Sequence, residues 1–160
     1  SDFSAQLAGL LGLPFSFAHH FAARNTDAAV AAYRSRFESS DVLSEPYLML
    51  GVSVICAETE AEAQWLAGPS KLSFLRLRTG RPGRYPTPEE ADGYQFTPSE
   101  RQLLRNWDRT HVVGDPATVG EQLLGLAKET GADELMLMTL THDPADRLRS
   151  YQLVAEHNPF

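Results

Sequence analysis

"YLMLGVSVICA", residues 47–57, is the stretch on which the fold turns. It is apolar almost throughout and does not alternate with polar residues. A strand covered on both faces reads this way, which predicts a parallel sheet flanked by helices. Directly after it, "TEAE" at 59–62 carries a capping-box pattern that opens a helix. That helix is predicted to run through Trp65 and Leu66, to break at Gly68-Pro69 and to resume as "KLSFLRLR" at 71–78. Before the strand, "NTDAAVAAYRSRF" at 25–37 puts Val30, Tyr33 and Phe37 on one stripe, with Thr26 as N-cap and Asp27 in the first turn. Helix, strand and helix in this order predict an α/β domain.

The same alternation extends in both directions. "DFSAQLAGLLG" at 2–12 sets Phe3, Leu7, Leu10 and Leu11 at helical spacing and stops at Gly12-Leu13-Pro14; "FSFA" at 15–18 reads as a short strand. "TGRPGRYPTPEEADGYQFTP" at 79–98 has no periodicity and holds four of the chain's ten prolines. An irregular segment of that length, about 79–97, is expected to be a lid or an insert. "TPSERQLLRNW" restarts a helix with Thr97 as cap, Pro98 in the first turn and Glu100 completing a box. Asp115-Pro116 opens a helix with the stripe Val119, Leu123 and Leu126, and Gly131 ends it. "ELMLMTL" at 134–140 reads as a buried strand. Asp143-Pro144 opens a last helix with Leu148, Tyr151 and Val154 or Ala155 expected inward. The 160 residues read as a single domain.

Bulk composition excludes several classes. The chain is 42% apolar and 22% charged, an ordinary soluble composition. A net charge of −7 and a pI near 5.2 argue against a nucleic-acid binder, which needs a basic face. No apolar run approaches the ~20 residues of a membrane span, and no basic-then-apolar signal opens the sequence. The single cysteine, Cys56, has no internal partner, so a reducing, cytoplasmic setting is expected. The first residues are Ser-Asp-Phe-Ser without a methionine, which carries the expectation that a piece has been removed or that the sequence has been cut.

Three stretches in order, "SAQLAGLLGLPFSFAHHF" (4–21), "LRTGRPGRYPTP" (77–88) and "VGDPATVGEQLLGLAKETGADELML" (113–137), resemble the luciferase-like family of flavin-dependent monooxygenases. The similarity covers essentially the whole chain. It implies a (β/α)₈ TIM barrel, a fold that typically needs about 250 residues. The chain is similar to the C-terminal half, about the last three to four βα units, completed or covered by oligomerisation. The resemblance further implies reduced FMN and O₂ acting on an organic substrate, with the deazaflavin F420 as the alternative cofactor and a flavin reductase as a partner. The alternative reading is a non-catalytic truncated half-barrel that forms a homodimer and lacks a complete active site.

On this resemblance Ser1 and Ser4 fall where the family has hydroxyls contacting the flavin phosphate. A helix N-terminus with nearby hydroxyls suits an anion, yet Ser1, Asp2 or Ser4 equally serves as a helix cap. His19 and His20 fall at the end of a barrel strand beside the flavin pocket. If the strand continued through residue 20, the two rings would point to opposite faces, so at most one would line the pocket while the other packs beneath a loop. A metal pair would need HxH or HExxH spacing, or a Cys-His cluster, and the chain has none. His142 is a further rim candidate; Asp143 reads first as an N-cap. His111 has no evident partner. Arg78, Arg81 and Arg84 either draw in an anion on lid closure or stay solvated. Glu58, Glu60 and Glu62 read as carboxylates favoured at a helix start. The catalytic residue stays unknown, because the family's histidine beside the reactive flavin carbon belongs to the other half.

Overall fold

The computed structural model describes residues 2–157 of the 160. Ser1, one of the expected phosphate contacts, lies outside the described residues. Helices and strands alternate: α1 (Asp2–Leu10), β1 (Phe15–Phe17), α2 (His19–Ala22), a 3₁₀ turn (Ala23–Asn25) and α3 (Thr26–Ser35) precede β2 (Leu48–Cys56). After it come α4 (Glu60–Arg78), α5 (Pro88–Asp92), α6 (Pro98–Asp108), β3 (His111–Gly114), α7 (Pro116–Thr130), β4 (Glu134–Met138) and α8 (Pro144–Glu156).

The apolar stretch at 47–57 becomes β2, the strand with which the other three pair. β1 lies parallel to it with Phe15 opposite Leu48 and Phe17 opposite Leu50. β3 lies parallel to its other half, with Ser53 opposite His111 and Cys56 opposite Gly114. Leu48, Leu50, Val52, Val54 and Ile55 are buried, as a strand covered on both faces requires.

The chain divides into two compact units, residues 1–52 with 124–137 and residues 53–123 with 138–160. In the first unit α1 packs on α3 through Ala5 and Gly9, which are buried on one face. Tyr33 of α3 is buried, its hydroxyl donating to the Leu13 carbonyl (2.9 Å) and accepting from the Tyr47 N–H (3.0 Å). Arg34 donates to the carbonyls of Thr130 (2.8 Å) and Gly131 (2.7 Å), closing the end of α7 where Gly131 has φ +62°. Asp133 accepts from the Leu48 N–H at 2.7 Å.

The core of the second unit gathers Ile55, Leu66, Leu75, Leu104, Trp107 and Val113. Cys56 is buried, and desolvation pushes its thiol up to about 11. Its backbone N–H donates to the Ser150 hydroxyl at 2.9 Å.

Five expectations change. Helix α4 runs unbroken through Pro69. The proline removes the donor for the Trp65 carbonyl, but buried Ala63, Leu66, Leu72 and Leu75 on either side hold both halves against the core. Thr26 does not cap α3; Asn25 stands at that position without a side-chain bond. The segment 79–97 contains α5, whose Thr87, Pro88 and Glu90 form the same capping box as Thr97, Pro98 and Glu100. β4 is not a buried strand: Leu135 and Leu137 are half-buried, and Met136 is 56% exposed. In α8 the buried residues are Ser150 and Leu153, while Leu148 and Tyr151 are exposed. The Ser150 contact with Cys56 explains the rotation, since a polar anchor is invisible to apolar periodicity.

Candidate functional site

β1 ends at Phe17, so the alternation of strand side chains never reaches the histidine pair. His19 and His20 instead open the short helix α2, and each ring is held by its own Nδ1. His19 Nδ1 lies 2.8 Å from the Thr26 hydroxyl. His20 Nδ1 lies 2.9 Å from the Gly51 carbonyl. A carbonyl only accepts, so His20 Nδ1 carries a proton, which fixes the ring and turns Nε2 to the other side.

Gly51 makes room for this ring. A Cβ there would stand 3.0 Å from both Cε1 and Nδ1 of His20. The ring also packs on Phe21, centroids 4.2 Å apart and planes tilted by 48°. Both histidines are half-buried. Burial, then the neighbouring His20, lowers the His19 pKa against an opposing pull from Asp27. A charged His19 is therefore disfavoured in the folded state, and its contribution to stability, present above its ordinary 6.5, is lost as pH falls through the lowered folded value.

Ser4 sits exposed in the first turn of the nine-residue helix α1, with Asp2 at its start. The structure thus anchors His19 and His20 by different partners, one to α3 and one to β2, within the unit that also carries α1. Thr26, read from the sequence only as an N-cap, and Gly51, which the sequence reading passed over, are the residues that hold the two rings. A lone glycine inside an otherwise apolar strand is the signal that could have found Gly51, because it marks close backbone approach.

The remaining candidates have structural partners, Arg81 through its backbone N–H, which donates to the Arg76 carbonyl at 2.8 Å. His142 is exposed and stacks on Tyr85, centroids 6.5 Å apart and planes at 11°. Tyr85 donates to the Leu140 carbonyl at 3.1 Å and is pushed up to about 12 by burial. This ties the segment 79–97 to the residues following β4. Asp143 caps α8 by accepting from the Ala145 N–H at 2.7 Å. His111 stacks on Trp107 at 4.0 Å and has Nδ1 3.0 Å from that residue's carbonyl. Arg78 lies over the Phe74 ring and Arg84 pairs with Glu90. Glu58 accepts from Arg149 and Glu60 from Gln64, while the Glu62 N–H donates to the Thr59 hydroxyl. Among the described residues no three His, Cys, Asp or Glu side chains stand together as a metal site, and no helix is long and apolar enough to cross a membrane.

A family model described as luciferase-like monooxygenase matches residues 1–134. The chain is 42% identical over 156 residues to the uncharacterized protein YvbT of Bacillus subtilis, a match covering 98% of this chain and 46% of that one. It is 36% identical to a luciferase-like monooxygenase of Escherichia coli, covering 98% of this chain and 47% of that one. Among solved structures, apo-MsnO8 superposes with a TM-score of 0.86 at 37% identity, over 98% of this chain and 48% of that one. The oxygenating constituent of 3,6-diketocamphane monooxygenase from Pseudomonas putida, solved with FMN, superposes at 0.60 with 22% identity, over 96% of this chain and 44% of that one. That last likeness concerns the fold alone. The chain spans about half the length of the curated relatives it matches. A match over most of its residues and these similarities make the chain a member of the luciferase-like monooxygenase family.

Proposed function

We propose that the chain is part of a flavin-dependent monooxygenase that uses reduced FMN and O₂ on an organic substrate, with F420 as the alternative cofactor. In this reading the 160 residues act as one domain, the last three to four βα units of a TIM barrel, with 79–97 as a lid. The family match over residues 1–134 carries the reading. Its setting is the cytoplasm, where buried, free Cys56 stays a thiol, and a flavin reductase is the partner that would supply reduced cofactor.

The described residues fit the phosphate end of a flavin in part. Ser4 offers a hydroxyl beside the N–H groups that open α1, and Asp2 opposes an anion there. His20, oriented by Gly51, and His19 beside it would stand at the flavin pocket that the family resemblance implies. Bound reduced flavin would supply the electrons for oxygen activation. No described residue is assigned to the reacting atoms, so these side chains bind and orient only.

Calorimetric titration of the protein with oxidised and reduced FMN tests the reading. Saturable binding is expected, weakened about ten- to hundredfold by Ser4→Ala, as for loss of a hydrogen bond to a charged group. Binding that is unaffected by Ser4→Ala would remove Ser4 from the site, and no binding of either form would reject the flavin role of this chain.

One observation favours a second reading, a non-catalytic half-barrel that pairs as a homodimer. In the first unit Phe3 is 76% exposed, Leu7 and Leu10 of the same helix and Leu11 just after it are exposed, and Met136 of β4 faces solvent. Apolar side chains in such numbers mark an association surface. Light scattering should then give twice the mass of one chain; a monomer at micromolar concentration overturns the homo-oligomer.

A further inference from the structure

The second unit holds a cleft of about 290 Å³ bounded by α4, α5, the residues after α5, and α6. Its walls include Trp65, Tyr94 and Phe96, and its polar lining includes Lys71, Arg101 and Asp92. The proposed flavin contacts Ser4, His19 and His20 are not among them, while Asp92, Tyr94 and Phe96 belong to the segment 79–97 proposed above as a lid. The volume is near the lower bound for small-molecule sites, and aromatic walls with a few convergent polar groups are their usual make-up.

The cations are arranged for an incoming partner. Lys71 is half-buried, with its ammonium 5.0 Å above the Trp107 ring and donating to the Gln64 side-chain oxygen at 2.9 Å. That leaves two of its three N–H bonds for other acceptors. Arg101 spends Nε on the Phe96 carbonyl at 3.2 Å, leaving the outer nitrogens of its fork. The ion pairs among the described residues involve Arg84 and Arg149, not these two. Burial lowers the Lys71 pKa, while Asp108 and Glu60 act in the opposite direction from outside the cleft lining. Two cations against the Asp92 carboxylate leave the lining with one net positive charge, which suits a monoanion better than a dianion. Gly68 shapes the floor, since a Cβ there would lie 3.1 Å from the Ala91 methyl.

We propose that this cleft binds a small aromatic carboxylate, its ring against Trp65, Tyr94 and Phe96 and its carboxylate toward Lys71 and Arg101. Flat π-faces accept a planar ring by offset or edge contact, and ammonium and guanidinium groups bind carboxylate by charge-assisted hydrogen bonds. A cationic ligand of the same shape meets Lys71 and Arg101 as like charges.

The chain's two tryptophans flank this cleft, Trp65 in its wall at 43% exposure and Trp107 beneath Lys71, so intrinsic fluorescence reports on it directly. The protein is titrated with benzoate, benzyl alcohol and benzylamine, which share one ring and differ in charge. Benzoate should quench saturably and bind about tenfold tighter than benzylamine. Lys71→Met should weaken benzoate about tenfold, and exposed Arg101→Gln about threefold, with benzyl alcohol unchanged in both. Arg101→Gln serves where Lys71→Met disturbs packing over Trp107. Non-saturating quenching, equal affinity for benzylamine, or benzoate affinity unchanged in both variants overturns the proposal.

Discussion

Replacing Trp107 with alanine should lower the unfolding free energy by about 3–5 kcal/mol in urea denaturation. The indole is 2% exposed and belongs to the cluster with Ile55, Leu66, Leu75 and Leu104. Its Nε1 donates to the Ser70 hydroxyl at 3.0 Å in buried surroundings, so truncation removes a donor as well as a ring. The His111 ring stacked on one face and the Lys71 ammonium over the ring lose their support together. Against a typical total stability of about 5–15 kcal/mol, such a loss is a large share. Trp107→Phe separates the two contributions. It keeps most of the apolar volume and leaves the Ser70 hydroxyl without its donor, for an expected cost of about 1–3 kcal/mol. A Trp107→Ala variant within 1 kcal/mol of the parent would mean that this cluster is not the centre of the second unit's core.

What the sequence made legible follows from which interactions leave periodic or positional marks. β2 was readable because continuous apolar character has one cheap structural solution, a strand covered on both faces. The caps at Thr59, Thr97 and Asp143 were readable because each depends on residues within three positions of one another. The identical signature at Thr87, Pro88 and Glu90 lay inside a segment read as irregular, where four prolines outweighed it. The rotation of α8 was not readable, since it depends on Ser150 reaching Cys56 across 94 positions of chain. The exposure of β4 was not readable either. Apolar pattern reports what a face can bury against, and it carries no information on whether that covering lies within these residues.

The candidate site divides along the same line. His19 and His20 drew attention as residue types, but their roles are set by Thr26 and by Gly51, the latter 31 positions away from His20. His111 has no partner legible in the sequence because that partner is a tryptophan face, four residues back, with which it stacks. Ser4 rests on family resemblance joined to a local helix start, so binding measurements, rather than packing, decide it.

Gly9→Ala should destabilise the protein by about 2 kcal/mol, and Gly9→Leu by more. Two effects compete at this position. Alanine in place of an interior helical glycine favours α1 by about 1 kcal/mol. A Cβ at Gly9, however, would stand 2.6 Å from the Tyr33 carbonyl oxygen, 3.1 Å from the Arg36 carbonyl carbon and 3.2 Å from the Phe37 nitrogen. All three are backbone atoms, so no side chain can rotate aside; α3 itself has to move. That movement is resisted at several points. Tyr33 is held by Leu13 and Tyr47, Arg34 by Thr130 and Gly131, and the Glu38 N–H donates to the Gly9 carbonyl at 3.0 Å. Steric cost therefore exceeds propensity gain, and the net sign is destabilising. Urea midpoints of parent, Gly9→Ala and Gly9→Leu should fall in that order. A neutral or stabilising Gly9→Ala would mean that α1 stands off from α3 in solution, and that the small face of Ala5 and Gly9 is not what joins them.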